Sequence, residues 1–344
     1  MAAVERLIDL LNDPATVELM VNSDGSVYRE LARGGLERAP IETDPDEAQA
    51  FVDELTGRRQ SFGPRRAFGD LTAEDGSRVH VLAPPIVGGG LCVTVRKRPK
   101  QRMALGDLVD RRMLSEACGQ FLRFSVEARR NILVVGGTSS GKTTLLNALC
   151  ALIDARERVL VLEDTAELTL PQAHVISMKT RTHDVDGLPD ITLRELVSNT
   201  LRMRPDRIVV GECRGPEAAD LLQAMNVGQA GVMSTVHANS PREAILRLET
   251  LVLSGGSDLP LIAVRSSIAT AVHIIVFAAR LPDGARQVLK VSEITGMELD
   301  NVSMSDLFVH DPRSQLLNPT GMIPKFYDPL REAGFEPPLD FFQT

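Results

Sequence analysis

Residues 136–143 read Gly136-Gly137-Thr138-Ser139-Ser140-Gly141-Lys142-Thr143, which satisfies the pattern G-x-x-x-x-G-K-[ST] of a phosphate-binding loop. The apolar run from Asn131 to Val135 comes directly before it, as a strand buried on both faces would. Apolar residues recur at helical spacing after it, at Leu145, Leu146, Leu149 and Leu152. A Gly- and Ser-rich surface turn with an incidental lysine is the alternative, but it does not account for this strand, loop and helix context. The sequence therefore predicts a site for a nucleoside triphosphate.

Each residue type in this loop suits a phosphate ligand. Gly136 and Gly141 allow backbone conformations and a close approach that a Cβ atom would prevent. Lys142 is expected to contact the β and γ phosphates, and the Thr143 hydroxyl to ligate Mg²⁺. The positive end of the following helix dipole points at the same anion. The remaining residues predicted to bind the nucleotide are Gly137, Thr138, Ser139, Ser140 and Thr144.

Length and composition narrow the class of protein. A chain of 344 residues exceeds one ordinary hydrophobic core, so two domains are expected. The hydrophobic content of 43% and the charged content of 24% are typical of a soluble globular protein. The formal net charge of −8 argues against nonspecific binding to nucleic acid or to an anionic membrane surface.

The cysteines argue against disulfides and a zinc site, and the apolar runs argue against a membrane-spanning segment and a secretory signal. The four cysteines, which form no C-x-x-C pair, are Cys92, Cys118, Cys150 and Cys213. We therefore expect reduced thiols and no zinc site. The most apolar late run, residues 268–279, is too short to span a bilayer, and the N-terminus lacks the apolar core of a secretory signal. Any membrane association is therefore expected to depend on a partner.

The chain is predicted to divide near residue 100. Residues 1–100 combine helical segments with strand-like runs, which indicates a small α+β domain. A basic, proline-containing stretch from Arg96 to Arg102 is expected to form a linker. In residues 101–344, apolar runs alternate with helical segments, the pattern of a parallel sheet flanked by helices. From about residue 300 a tail is expected to pack on this second domain. Its predicted aromatic anchors are Phe308, Phe326, Phe335, Phe341 and Phe342.

Polar residues stand at the ends of three predicted strands of the second domain, namely Glu163, Glu212 and His237. Ligands of open α/β sheets bind beyond the carboxyl ends of the strands, so these three are predicted catalytic residues. One such acid is as readily a helix N-cap or a surface charge, and a lone histidine is more often structural. Two acids in register with a phosphate loop favour catalysis. His237 is predicted to sense the γ phosphate.

Hydrolysis of a triphosphate needs a metal partner and a carboxylate that orients the attacking water. Glu212 is predicted to contact Mg²⁺ together with Thr143. This contact is expected to run through water, because Gly211 stands where an aspartate is more common. Glu163 is the predicted water-positioning carboxylate, and Glu167 remains the alternative.

Three segments resemble the motifs of one superfamily. Residues 163–168 (EDTAEL), 201–212 (LRMRPDRIVVGE) and 235–241 (TVHANSP) resemble the Asp box, the atypical Walker B motif and the His box of the type II/type IV secretion ATPases, in the same order and spacing. Within the superfamily, the chain is most similar to tight-adherence (Flp) pilus assembly ATPases of the CpaF/TadA type, over nearly its whole length. Further segments that carry this similarity are residues 11–22, 75–79, 94–97 and 320–326.

The resemblance implies a RecA-like P-loop ATPase domain with a smaller N-terminal α+β domain, assembled as a ring-shaped homohexamer. It implies an ATP- and Mg²⁺-dependent motor that powers pilus assembly and secretion at the cytoplasmic face of the inner membrane, through a membrane platform protein. It also implies that arginines of the N-terminal domain reach the phosphates. The matching positions are Arg78 and Arg96, with Arg65 and Arg66 as weaker matches, although each also fits a solvated charge at a strand edge.

Other functions fit the same core. One is a conjugation or type IV secretion ATPase of the same family, and another is a nucleotide-gated scaffold that does not hydrolyse. A RecA-like nucleic-acid translocase is disfavoured by the negative charge and by an aromatic content of only 4%. The chain departs from the family at Ser139, where glycine is usual, and at Gln229, where a histidine often precedes the His box.

Overall fold

The structure is a computed structural model that describes residues 2–32, 35–57, 61–98, 103–181, 189–226, 231–256 and 258–342. The chain forms two compact units, Met1–Gln101 and Arg102–Thr344. Each unit has its own sheet and its own buried apolar residues. Residues 99–102 of the predicted linker and Gln229 lie outside the described residues.

The first unit is a six-stranded antiparallel sheet with two helices. Its helices are α1 (Ala2–Asn12) and α2 (Pro45–Thr56). Its strands are β1 (Thr16–Val21), β2 (Ser26–Leu31), β3 (Gly35–Glu42), β4 (Phe68–Thr72), β5 (Arg78–Leu82) and β6 (Cys92–Arg96). Across the sheet the strands follow the order β3-β2-β1-β6-β5-β4. Strands β3 and β4 were not recognised in the sequence, because neither has a continuous apolar pattern.

Helix α2 shows how local sequence fixes an element of this unit. The Asp44 carboxylate accepts a hydrogen bond from the Glu47 amide, and the Glu47 carboxylate accepts one from the Asp44 amide. This reciprocal capping box satisfies two otherwise unpaired donors, and Pro45 starts the helix with a suitable φ. Gly57 ends it at φ 64°, a left-handed conformation that glycine adopts readily. The helix buries Phe51 in the core of the first unit.

The second unit contains a nine-stranded sheet. Its strands are β7 (Ile132–Gly136), β8 (Val159–Glu163), β9 (Val175–Lys179), β10 (Arg207–Cys213), β11 (Met233–His237), β12 (Ile274–Arg280), β13 (Arg286–Glu298), β14 (Asn301–Asp311) and β15 (Leu316–Pro319). Its helices are α3 (Leu105–Asp110), α4 (Glu116–Glu127), α5 (Lys142–Cys150), α6 (Leu193–Thr200), α7 (Glu217–Asn226), α8 (Pro241–Ser254), α9 (Leu261–Ala271) and α10 (Tyr327–Glu332), followed by a short 3₁₀ turn (Asp340–Phe342). None of the helices that the structure describes is long and apolar enough to cross a membrane.

The strand order of this sheet is β15-β14-β13-β12-β7-β11-β10-β8-β9. The six strands from β12 to β9 in this order run parallel, and the alternation of strands and helices predicted such a sheet, although β9 was not recognised in the sequence. Strands β13, β14 and β15 extend the sheet with antiparallel pairs beyond β12. The sequence did not predict this extension as strands, and the residues after 300 are part of the sheet as well as a packed tail.

Apolar residues cover both faces of the parallel strands. In β7, Ile132 and Val134 join the cluster on one face, whereas Leu133 and Val135 join the cluster on the other. Strand side chains point alternately to the two faces, so a strand buried on both must be apolar at every position. This explains the uninterrupted apolar run before the phosphate loop.

The C-terminal tail packs through an aromatic cluster centred on α4. The Phe121 ring lies 5.5 Å from Phe308 and 5.5 Å from Phe342, between ring centroids. Phe326 and Phe341 are also buried. Phe335 is 67% exposed, so its predicted role as an anchor is wrong. It follows α10 at a turn that leaves its side chain outside the cluster.

Candidate nucleotide-binding site

The phosphate loop joins β7 to the start of α5. A Cβ atom on Gly136 would clash with the carbonyl oxygen of Ala278 on the neighbouring strand β12. Gly141 has φ 94°, and a Cβ there would lie 3.1 Å from the Met113 side chain. Only glycine suits these two positions, because one is closed by a neighbouring backbone and the other needs a left-handed conformation. The loop is therefore a close-packed cradle at a helix N-terminus.

The Lys142 side chain folds back over the loop. Its ammonium group donates hydrogen bonds to the carbonyl oxygens of Gly136 at 3.0 Å and Gly137 at 2.8 Å. Lys142 is only 9% exposed. A buried ammonium held by neutral carbonyls is poised for a stronger anionic partner, because charge-assisted hydrogen bonds are about twice as strong as neutral ones.

The other loop residues differ in accessibility. Thr138 is exposed, and Ser140 is buried with its hydroxyl donating to the Gly137 carbonyl at 2.9 Å. Ser139 adopts φ 57°, which is unusual for a residue with a Cβ atom. The half-buried members of the predicted set are Gly137, Ser139, Gly141, Thr143 and Thr144.

Glu163 ends β8 and is buried, with 4% exposure. Its Oε1 accepts hydrogen bonds from the amides of Glu167 and Leu168, each at 2.9 Å. The following segment is tied to α5, because the Thr169 amide donates to the Asn147 side chain at 3.1 Å. The carboxylate is therefore fixed by main-chain donors on the α5 side of the sheet.

Gly211 on β10 lies directly against this carboxylate. A Cβ atom on Gly211 would sit 2.9 Å from Cγ and 3.4 Å from Oε1 of Glu163. An aspartate at position 211 would thus collide with Glu163 and place two negative charges in contact. This explains in physical terms why the aspartate more common in Walker B motifs is missing here.

Glu212 is held by Arg214, two residues further on, at the end of β10. The Arg214 guanidinium donates to a Glu212 carboxylate oxygen. The neighbouring carboxylates of Glu212, Asp164 and Glu167 raise the pKa of Arg214, with the Glu212 hydrogen bond as the largest cause. Arg214 was missed in the sequence, because it lies just beyond the end of β10 and no motif marks it.

His237 ends β11, the strand between β7 and β10. It lies opposite Gly136 in the β11–β7 ladder and is exposed. The Thr235 hydroxyl donates to the Gly211 carbonyl at 2.8 Å and so links β11 to β10. Asn239 lies next to the loop, with its Oδ1 at 3.9 Å from a Cβ position on Gly137. The strand ends that carry Glu163, Glu212 and His237 thus meet at the carboxyl edge that also holds the phosphate loop.

Arg78 and Arg96 belong to the first unit. They face each other across the β5–β6 pair, where Arg96 is exposed and Arg78 is half-buried. Their contact with phosphates stays a prediction from the resemblance. Of the weaker matches, Arg66 places its guanidinium 4.6 Å from the centre of the Phe62 ring.

Residues 72–313 match the family described as Type II/IV secretion system protein. The chain belongs to this family. The conjugal transfer protein TrbB of Rhizobium radiobacter is 34% identical to this chain over 297 residues, covering 85% of this chain and 88% of that protein. The protein VirB11 of Agrobacterium fabrum is 29% identical over 300 residues, covering 78% and 86%.

The fold has solved counterparts. The X-ray structure of the Legionella pneumophila ATPase DotB matches this chain with a TM-score of 0.58 at 19% identity, covering 91% of this chain and 81% of the DotB chain. The predicted superfamily and the RecA-like ATPase fold with an N-terminal domain are therefore confirmed, and the chain is an ATP hydrolase. The relatives named here are conjugal transfer and VirB11 proteins, so the narrower tight-adherence assignment is not supported by them.

Proposed function

We propose that this secretion ATPase is a homohexameric, Mg²⁺-dependent motor of a type IV secretion or conjugal transfer machine. The observation that supports it is the convergence of the phosphate loop, Glu163 and Glu212 on one sheet edge, in a chain 34% identical to a conjugal transfer protein. In this proposal the motor acts from the cytoplasm and docks on an inner-membrane platform protein, while nucleic acid is not its direct substrate.

The site suits the triphosphate of ATP. The N–H groups of the loop and of the first turn of α5 offer donors at the positive end of a helix dipole. Lys142 exchanges its bonds to the Gly136 and Gly137 carbonyls for bonds to the β and γ phosphates. The favourable free energy of binding comes from the exchange of neutral hydrogen-bond acceptors for anionic ones around a buried ammonium group.

The donor set also suits Mg²⁺, which prefers hard oxygen ligands. Thr143 would offer its hydroxyl and Glu212 its carboxylate, the latter through water because Gly211 supplies no side chain. When bound, Mg²⁺ neutralises charge that develops on the phosphates. Arg214 already neutralises Glu212 and limits its repulsion of the nucleotide.

Glu163 orients the attacking water in this proposal. Two main-chain donors fix the orientation of its carboxylate, so a water bound to it has a defined direction. His237 lies at the end of β11, which is separated from β8 by β10, and it senses the γ phosphate. Arg78 and Arg96 add positive charge to the phosphates, as the resemblance implies.

A role in tight-adherence pilus assembly is the second candidate. The segments at residues 11–22 and 75–79, which carry the resemblance to that branch, favour it. Deleting the gene in its host and scoring both conjugal transfer and surface pili separates the two machines. Loss of pili with normal transfer would select the pilus role.

The direct test is phosphate release by the purified chain with Mg²⁺ and ATP, combined with particle imaging in a nonhydrolysable analogue. Lys142→Ala is expected to abolish nucleotide binding. Glu212→Gln is expected to keep binding and to lower turnover at least about a hundredfold. Equal turnover in wild type and both variants would contradict the assignment of the site. Particle images without rings would contradict the hexamer. DNA-stimulated turnover with a steep salt dependence would instead indicate a translocase.

A further inference from the structure

Arg286, the first residue of β13, contacts the outer side of the phosphate loop. Its Nε donates a hydrogen bond to the Ser139 carbonyl oxygen at 3.0 Å, across a sequence separation of 147 residues. A Cβ atom on Gly141 would lie 3.4 Å from Cδ of Arg286, so the aliphatic part of the side chain also packs on the loop. The same segment is anchored beside the loop by the Val288 amide, which donates to the Met113 carbonyl at 2.7 Å.

The carbonyl that Arg286 holds belongs to a strained residue. Ser139 has φ 57°, a left-handed conformation that is unfavourable for a residue with a Cβ atom. Such a conformation persists only when its surroundings hold it. The hydrogen bond from Arg286 is a contact that does so.

The orientation of that carbonyl also sets the direction of a donor. The Ser139 C=O and the Ser140 N–H belong to one planar trans peptide and point in opposite directions. Because Arg286 holds the carbonyl towards itself, the Ser140 amide must point away from Arg286. Main-chain N–H groups of this loop are the groups that bind phosphate oxygens.

We propose that Arg286 is a positioning residue that aims the Ser140 amide at the phosphates by holding the Ser139 carbonyl. This inference rests on the proposed function of the loop as the nucleotide site. Arg286 acts through the loop and does not itself touch the nucleotide. The alternative is that its positive charge attracts the phosphates directly.

Side chains of similar length separate these two roles. Glutamine places its amide nitrogen where Nε of arginine lies, so Arg286→Gln keeps the donor and removes the charge. Lysine keeps the charge but moves its nitrogen outward by about 1.5 Å, one bond length. Methionine keeps the approximate shape and removes both. Arg280, which pairs with Arg286 across the β12–β13 hairpin, gives a matched control for the loss of charge.

The experiment measures the dissociation constant of a fluorescent ATP analogue with Mg²⁺ for each variant, together with the melting temperature. We expect Arg286→Met and Arg286→Lys to weaken binding about tenfold, because a hydrogen bond with a charged partner is removed or displaced. Arg286→Gln is expected to stay within about threefold of wild type, and Arg280→Met within about twofold.

Three results would overturn the inference. Near-normal binding by Arg286→Lys with weak binding by Arg286→Gln would show that the charge acts directly. Unchanged binding in all three variants, or an equal loss in all three, would show that the donor position is irrelevant. Should Arg286→Met fail to fold, the comparison of the Gln and Lys variants decides alone. Lys142→Ala separates this inference from the site itself, because wild type that binds no better than Lys142→Ala contradicts the proposed function instead.

Discussion

The parallel strands of the nine-stranded sheet begin at one edge, the amino edge, and end at the opposite one, the carboxyl edge. These two edges use buried polar groups in opposite ways. At the amino edge, the Asn131 side chain accepts from the Gly231 and Val232 amides and donates to the Met225 and Ala271 carbonyls, at 2.7–3.2 Å. All its hydrogen-bonding capacity is therefore used within the protein.

Charged groups at the same edge are also bound internally. Arg207 is 2% exposed and donates from Nε to Glu157 at 2.6 Å and from Nη2 to the Val126 carbonyl at 2.8 Å. At the carboxyl edge, the Lys142 ammonium group donates to carbonyls of its own loop, and Glu212 is held by an arginine that is 57% exposed in its side chain. The amino edge thus joins elements together, whereas the carboxyl edge keeps charges that a ligand can recruit.

The largest effect is expected from Glu163 at the carboxyl edge. Glu163→Gln keeps an oxygen for the amides of Glu167 and Leu168 but removes the charge that orients water. Turnover should fall about a thousandfold, or about 4 kcal/mol in the activation barrier, while the free energy of unfolding changes little. Steady-state phosphate release and chemical denaturation measure the two quantities. Glu167→Gln is the matched control, and a larger loss in that variant would transfer the role to Glu167.

The next effect concerns the amino edge. Asn131→Ala removes four buried hydrogen bonds, so we expect a loss of about 3 kcal/mol in the free energy of unfolding. Turnover of the folded fraction should stay near that of wild type. Asn239→Ala, an exposed asparagine at the opposite edge, should cost less than about 1 kcal/mol. Similar denaturation midpoints for both variants would erase the contrast between the edges.

A smaller effect is expected from the arginines of the first unit. Arg78→Ala and Arg96→Ala should each lower kcat/KM about tenfold, close to 1.4 kcal/mol, with the melting temperature unchanged. Arg38→Ala, on β3 of the same unit, serves as the control because its partner is Glu42, a neighbour in sequence. Normal turnover in both variants would show that the carboxyl edge needs no charge from these residues.

The smallest effect concerns a histidine at the amino edge. Burial, with a contribution from Arg130, lowers the pKa of His273 from 6.5 to about 4. Its ring accepts a hydrogen bond from the Asn131 amide through Nδ1, which requires an unprotonated Nδ1. The unfolded chain therefore binds the proton more tightly, and the stability that His273 contributes is complete above pH 6.5 and is lost as the pH falls towards 4.

The measurement is the free energy of unfolding of wild type and of His273→Asn, which keeps an acceptor but cannot titrate. From pH 7 to pH 6, wild type should lose about 0.7 kcal/mol more than the variant. Parallel pH profiles would show that the histidine is not buried as an unprotonated ring.

Short-range sequence patterns predicted the elements that this site depends on. The loop, β7 and α5 follow from residues adjacent in the chain, and the parallel strands other than β9 follow from their apolar runs; β9 is only partly buried and has no such run. The packing of Gly211 against Glu163 and the bond from Arg286 to Ser139 join residues 48 and 147 positions apart. Such contacts depend on strand order, which a single sequence does not specify. The antiparallel strands β13 to β15 were missed for a different reason, because their buried positions follow neither a strict alternation nor a continuous apolar run.

The aromatic cluster around Phe121 has a consequence for how the protein is made. During synthesis, α4 leaves the ribosome long before Phe341 and Phe342 are added. The ring of Phe121 therefore cannot pack against Phe342 until the chain is almost complete. The second unit therefore completes its core only after these late residues emerge. A product that stops before Phe341 lacks the Phe342 ring that packs on Phe121, so it would leave apolar surface of this cluster uncovered, and such surface makes an incomplete chain prone to aggregate.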